Sequence, residues 1–150
     1  MIQSKPTEGS GRPVLAAEDE EGDAMLLLLA FKRTELRHPM IVVHDGQEAI
    51  DYLDGQPPFH DRIVHPIPAL LLLDLKMPRL NGFDVLAWWA KRPDLRDIPV
   101  VVLSSSSHPS DMAKAKQMGA REYIVKPHGF AQLSRLLQEL CGRWMPAVAV

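Results

Sequence analysis

The sequence predicts an α/β protein with a parallel sheet covered on both faces, and three observations carry that expectation. Five short strand-like runs recur along the chain, at 14–17, 40–43, 69–73, 100–103 and 122–125. Each is followed by a stretch that reads as a helix, the last with its apolar residues at three- and four-residue spacings, the period of a helix packed on one side. The run Ala69-Leu70-Leu71-Leu72-Leu73 is apolar without alternation, as a strand buried on both faces is. Five strands alternating with five helices build such a sheet through right-handed crossovers.

In order, the first strand ends in the acidic cluster Glu18-Asp19-Glu20-Glu21, and a helix is expected from about Asp23, with Arg37, His38 and Pro39 marking its end. The second strand leads through His44-Asp45-Gly46 into a short helix over 47–53. Residues 54–68 carry Gly55, Pro57, Pro58, Pro66 and Pro68, which exclude regular structure and predict a surface loop. The central strand stops at Asp74, Pro78 cannot extend a ladder, and Asn81-Gly82 is turn chemistry ahead of a helix over 83–92 with Leu86 and Trp89 inward. An Asp beside Pro and Gly can also serve only as a turn former. The fourth strand ends in Ser104-Ser105-Ser106-Ser107, a helix follows over 110–118, and the fifth strand ends in Lys126-Pro127. Phe130, Leu133, Leu136, Leu137, Leu140 and Trp144 then form the buried stripe of a last helix.

Composition narrows the class. A chain of 150 residues with 46% hydrophobic and 24% charged residues suits one soluble domain, here expected over 14–145. A net charge of −2 gives no reason to expect nucleic acid or an anionic membrane as partner. The single cysteine, Cys141, excludes an internal disulfide and a cysteine-based zinc site and fits a cytoplasmic setting. Residues 1–13 are polar, rich in Gly, Ser and Pro and without a signal-peptide core, so they are expected to be a flexible lead-in, with a short tail over 146–150.

Ligands of open α/β sheets bind beyond the carboxyl ends of the strands. Four of the five strand ends here bear polar groups suited to one site: Glu18 and Asp19, then Asp74, then Ser104, then Lys126. Three carboxylates in one place repel and raise one another's pKa unless a cation compensates. Oxygen donors without His or Cys point to magnesium or manganese. Such an ion neutralises a phosphoryl group arriving at Asp74, while a lysine ammonium and a serine hydroxyl hold its other oxygens. A carboxylate attacking phosphorus gives an acyl phosphate.

Glu18-Asp19 after the first strand, Asp74-Leu75-Lys76-Met77-Pro78 with Asn81-Gly82 after the third, Ser104 thirty positions beyond Asp74 and Lys126-Pro127 twenty-two beyond Ser104 together resemble the receiver domain of two-component response regulators, over about 14–144. The resemblance implies a flavodoxin-like (βα)5 three-layer sandwich with strand order 2-1-3-4-5. It implies that Asp74 accepts a phosphoryl group from a sensor histidine kinase, and that Asp19, Asp74 and the Lys76 backbone carbonyl bind magnesium, with Glu18 acting through a metal-bound water. Ser104 and Lys126 would contact the phosphoryl group. Ser104 would then move towards the new oxygens and Tyr123 would turn inward, changing the face made by the fourth helix, fifth strand and fifth helix. That face is expected to form a homodimer. Lys76 and Ser106, flanking the acid, would control water access and so the slow self-dephosphorylation; no other enzymatic activity is implied.

The long loop before the central strand and the expected lack of an output module resemble the stand-alone subgroup that partners phytochrome-type histidine kinases. Glu18 stands where aspartate is often found, Ser104 where threonine is frequent, and His128-Gly129 where a bulkier apolar or acidic residue is usual. A receiver with a vestigial pocket, acting only as a binding module, is an alternative that the intact set of acids, hydroxyl and lysine opposes. A haloacid-dehalogenase-like phosphatase needs a second acid two residues after its nucleophile, and that place is Lys76. No strand leads into a Gly-rich phosphate loop, which disfavours a Rossmann or P-loop nucleotide binder.

Overall fold

The computed structural model describes residues 2–3 and 11–145. Twelve elements follow in order: β1 (Ile2–Gln3), β2 (Val14–Ala17), α1 (Glu21–Arg33), β3 (Met40–Val43), α2 (Gly46–Asp54), β4 (Leu70–Leu73), α3 (Gly82–Ala90), a 3-10 turn (Pro93–Leu95), β5 (Val100–Ser104), α4 (Pro109–Gln117), β6 (Glu122–Val125) and α5 (Phe130–Trp144). The sheet order is β1-β3-β2-β4-β5-β6. The five strands β2 to β6 are parallel, and counted alone they run 2-1-3-4-5, the flavodoxin-like order expected. β1 adds antiparallel to the outer edge of β3. Apart from Ile2–Gln3 and residues 11–13, the expected lead-in lies outside the described residues, as does the tail over 146–150.

The two-sided burial of the apolar runs divides by alternate residues. Leu15, Leu71, Leu73, Val100 and Val102 face one core layer with Tyr52, Leu86 and Trp89; Val14, Leu70, Leu72, Val101 and Leu103 face the other with Phe31, Leu137 and Leu140. A period of two therefore serves two cores at once, and an unbroken apolar string is the sequence that satisfies both. Leu86 and Trp89 are inward as expected, and Cys141 is buried in the other layer with Leu137 and Leu140. The expected α5 stripe holds for Leu133, Leu137 and Leu140, with Leu136 and Trp144 partly buried against the same core and the Trp144 indole N–H donating to Glu122, whereas Phe130 is exposed beneath the Arg33 guanidinium.

Several ends differ from the sequence expectation. Helix α1 starts at Glu21, because the Glu20 carboxylate caps it by accepting from the Gly22 and Asp23 N–H groups, and it stops at Arg33, where the Thr34 hydroxyl bonds the Phe31 carbonyl. Helix α3 stops at Ala90, and Arg92 beyond it pairs with Asp54 and Asp94. The Pro-rich loop is irregular as expected but anchored: Phe59 and His65 are buried against Tyr52, and the Arg62 guanidinium donates to the Tyr52, Leu53 and His65 carbonyls. Among the described residues no helix is long and apolar enough to cross a membrane.

Candidate functional site

Strand register assembles the site. Ala17 pairs with Leu73, so the next residues, Glu18 and Asp74, leave β2 and β4 at one level, and the Asp74 N–H donates to the Ala17 carbonyl at 3.1 Å. β2 and β4 are neighbours whose following chains depart in opposite directions, to β3 and to β5, and this divergence opens the crevice. On the far side Ser104 pairs with Val125, and the Lys126 N–H donates to the Ser104 carbonyl at 2.8 Å. Carboxylate oxygens of Glu18, Asp19 and Asp74 all lie within 4.8 Å of one another.

Lys126 reaches across this crevice. Its ammonium donates to Glu18 Oε1, to Asp23 Oδ2 at 3.1 Å and to Asp74 Oδ2 at 3.3 Å. The second oxygens of the two buried acids are engaged by main chain: Asp74 Oδ1 accepts from the Leu75 N–H at 2.7 Å and Glu18 Oε2 from the Glu20 N–H at 3.2 Å. Glu18 and Asp74 are buried, while Asp19 is exposed. Burial, reinforced by the neighbouring Asp74 charge, outweighs the Lys126 hydrogen bond and pushes the Glu18 carboxyl up to about 7. Burial pulls Lys126 down, but Glu18, Asp74 and Asp23 outweigh it and hold the ammonium above its ordinary value. One lysine thus meets Glu18, Asp23 and Asp74, with Asp19 beside Glu18 and Asp74, an excess of negative charge made wholly of oxygen donors. That donor set fits a hard divalent cation.

The hydroxyl side is tied differently from a simple row of serines. Ser104 is fully buried, and its Oγ accepts from the Ser106 N–H at 3.2 Å. Ser106 Oγ donates to Asp111 Oδ2 in the first turn of α4 at 2.6 Å, and the Ser106 carbonyl accepts from the Tyr123 hydroxyl at 2.8 Å. Tyr123 therefore lies inward, half-buried against the core. Lys76 is exposed beside Asp19 at a depression also lined by Met77, Pro78 and Phe83. A cavity of about 280 Å³ adjoins Lys126 on the other side, lined by Asp23, Leu26, Val125, Pro127 and His128 among others. The 127–129 loop enters α5 with the Gly129 N–H donating to the Gln132 side chain at 3.2 Å. Asp23 and Asp111 are not among the sequence candidates; Asp23, two residues past the acidic cluster in the first turn of α1, meets Lys126 only through the fold.

Comparison with known proteins agrees with this geometry. The model of the response regulator receiver domain matches residues 14–138. Response regulator Rcp1 of Synechocystis is 31% identical over 137 residues, 91% of each chain. The crystal structure of response regulator RPA3017 in red light signaling of R. palustris superposes with a TM-score of 0.84 at 33% identity, covering 93% of this chain and 97% of that one. The phosphorylated cyanobacterial phytochrome response regulator RcpA gives 0.82 at 29%, covering 94% and 100%, and the Mn(2+)-bound form of Rcp1 gives 0.79 at 30%, covering 93% and 99%. Both the family match over most of the chain and these superpositions lead to one conclusion: the chain belongs to the response regulator receiver domains.

Proposed function

We propose that Asp74 is the phosphoacceptor of this receiver. The observation that carries the reading is the Lys126 ammonium held between Glu18 and Asp74 at the mouth where Asp19 also stands. An Asp74 carboxylate oxygen attacks phosphorus of a kinase phosphohistidine, the P–N bond breaks, and an acyl phosphate forms as the imidazole recovers its proton. Lys126 stabilises the oxygens on which charge accumulates, and Ser104, one strand away, supplies a hydroxyl once released from the Ser106 N–H. Glu18, Asp19, Asp74 and the Lys76 carbonyl would hold magnesium, or manganese as in the Mn(2+)-bound form of Rcp1. When bound, that cation neutralises charge on the incoming phosphoryl group. Lys76 and Ser106 govern water access to the acyl phosphate, and hence slow self-dephosphorylation.

The partner is a cytoplasmic histidine kinase of the phytochrome type, a reading supported by the red-light and phytochrome relatives. The output surface is the α4–β6–α5 face, through which two copies pair. Ser106 joins Ser104 to Asp111 on α4 and to Tyr123 on β6, so a hydroxyl drawn towards phosphorus biases that face. Asp74→Asn tests the assignment. Incubation with acetyl phosphate and Mg2+ should label the wild type and leave the variant unlabelled, and full labelling of the variant would refute it.

A further inference from the structure

The loop over 75–81, which carries Lys76, is pinned at both ends. At the inner end the Gly82 N–H donates to the Leu75 carbonyl at 3.0 Å, and a Cβ at Gly82 would stand 2.4 Å from the Asp74 carbonyl oxygen. At the outer end the Gly46 N–H donates to the Leu80 carbonyl at 3.0 Å. Beside that contact, Asp45 uses its two oxygens for different purposes. Oδ1 caps α2 by accepting from the Glu48 N–H at 2.8 Å, and the Glu48 side chain returns the bond to the His44 N–H at 2.8 Å. Oδ2 accepts from the Arg79 guanidinium, which reaches over from the loop.

Helix α2 needs only the first oxygen. The second serves the loop alone, and Arg79 adopts it at a cost: its backbone is left-handed, φ +64, where glycine or asparagine is the unstrained choice. Its side chain is otherwise 65% exposed, and Glu48 and Asp51 add to the attraction of Asp45. A left-handed arginine is thus held three residues from the main-chain carbonyl expected to complete the cation site.

We propose that Asp45 and Arg79 are positioning residues that set the Lys76 carbonyl against Asp74 for divalent-cation binding, a proposal that rests on the site reading given above. A main-chain donor has no rotamer with which to correct a displaced backbone, so the loop's outer anchor governs how well the donor fits.

The test is a Mn2+ titration of the full chain, reading free ion by electron paramagnetic resonance, for wild type, Asp45→Asn, Arg79→Gly, Arg79→Lys and the Asp45→Asn/Arg79→Gly double variant. Asparagine preserves the helix cap, and glycine relieves the left-handed backbone while removing the guanidinium. Each of those two changes should weaken Mn2+ binding about tenfold. The double variant should be no weaker than either, and Arg79→Lys should recover part of the loss. Unchanged affinity in Arg79→Gly, additive losses, or losses that follow the urea midpoint would overturn the clamp. A wild type that takes up no Mn2+ would overturn the site reading itself.

Discussion

The Tyr123 hydroxyl donates to the Ser106 carbonyl at 2.8 Å, fixing an aromatic on β6 to the loop that leaves β5 beside the site. The same Ser106 gives its own hydroxyl to Asp111 and its N–H to Ser104. Removing the phenol oxygen alone, as Tyr123→Phe, keeps the ring against the core and breaks one of three ties. A neutral hydrogen bond contributes about 1 kcal/mol net, so amides at 105–108 should exchange about fivefold faster while Asp74 still labels with acetyl phosphate. Exchange at wild-type rates would show that the bond does not hold the loop.

The strands and the acids were legible in the sequence for one reason. A strand buried on both faces leaves an unbroken apolar string, and the polar residue that ends it must lie at the sheet edge, as Asp74 and Glu18 do. What the string does not encode is lateral contact. Four consecutive serines look alike, yet Ser104 faces inward, Ser106 links three elements and Ser105 is exposed. An acid in a helix's first turn reads as a dipole partner, so nothing marked Asp23 for Lys126. Proline density correctly predicted irregular backbone over the long loop but not that its Phe59 and His65 would be buried, because burial there depends on Tyr52 of α2 and on Arg62 tying the loop to the α2 carbonyls.

Lys126→Met should separate charge from packing, since methionine keeps an aliphatic stem of similar reach. Without Mg2+ the variant leaves Glu18, whose side chain is 2% exposed, and Asp74, at 8%, facing each other with no ammonium between them. Breaking one side of a buried ion pair costs roughly 3 kcal/mol, read as a fall in the urea midpoint. Because a divalent cation supplies the missing positive charge, added Mg2+ should raise the midpoint of the variant more than that of the wild type. Equal stability of the two proteins in chelator would mean the lysine does not compensate the acids.

One substitution, glycine to alanine, should act with opposite signs at two places. At Gly46 an added Cβ would meet the Leu80 carbonyl oxygen at 2.1 Å and its carbon at 2.7 Å, both backbone atoms that cannot rotate away. Gly46 opens α2 and bonds Leu80 through its own N–H, so relief requires parting the helix from the loop over 75–81. Overpacking of this kind costs about 1–3 kcal/mol, and here it should also weaken Mn2+ binding, since the displaced segment carries Lys76. At Gly142, on the exposed side of α5, nothing lies within 4 Å, and the methyl group only narrows the unfolded ensemble. Gly142→Ala should therefore stabilise by about 0.5 kcal/mol and raise the melting temperature by about 1–2 °C. Calorimetry of the two variants distinguishes the causes: if both shift downward, helix propensity is not what limits the end of α5, and if neither does, the backbone contact at Leu80 is looser than its geometry.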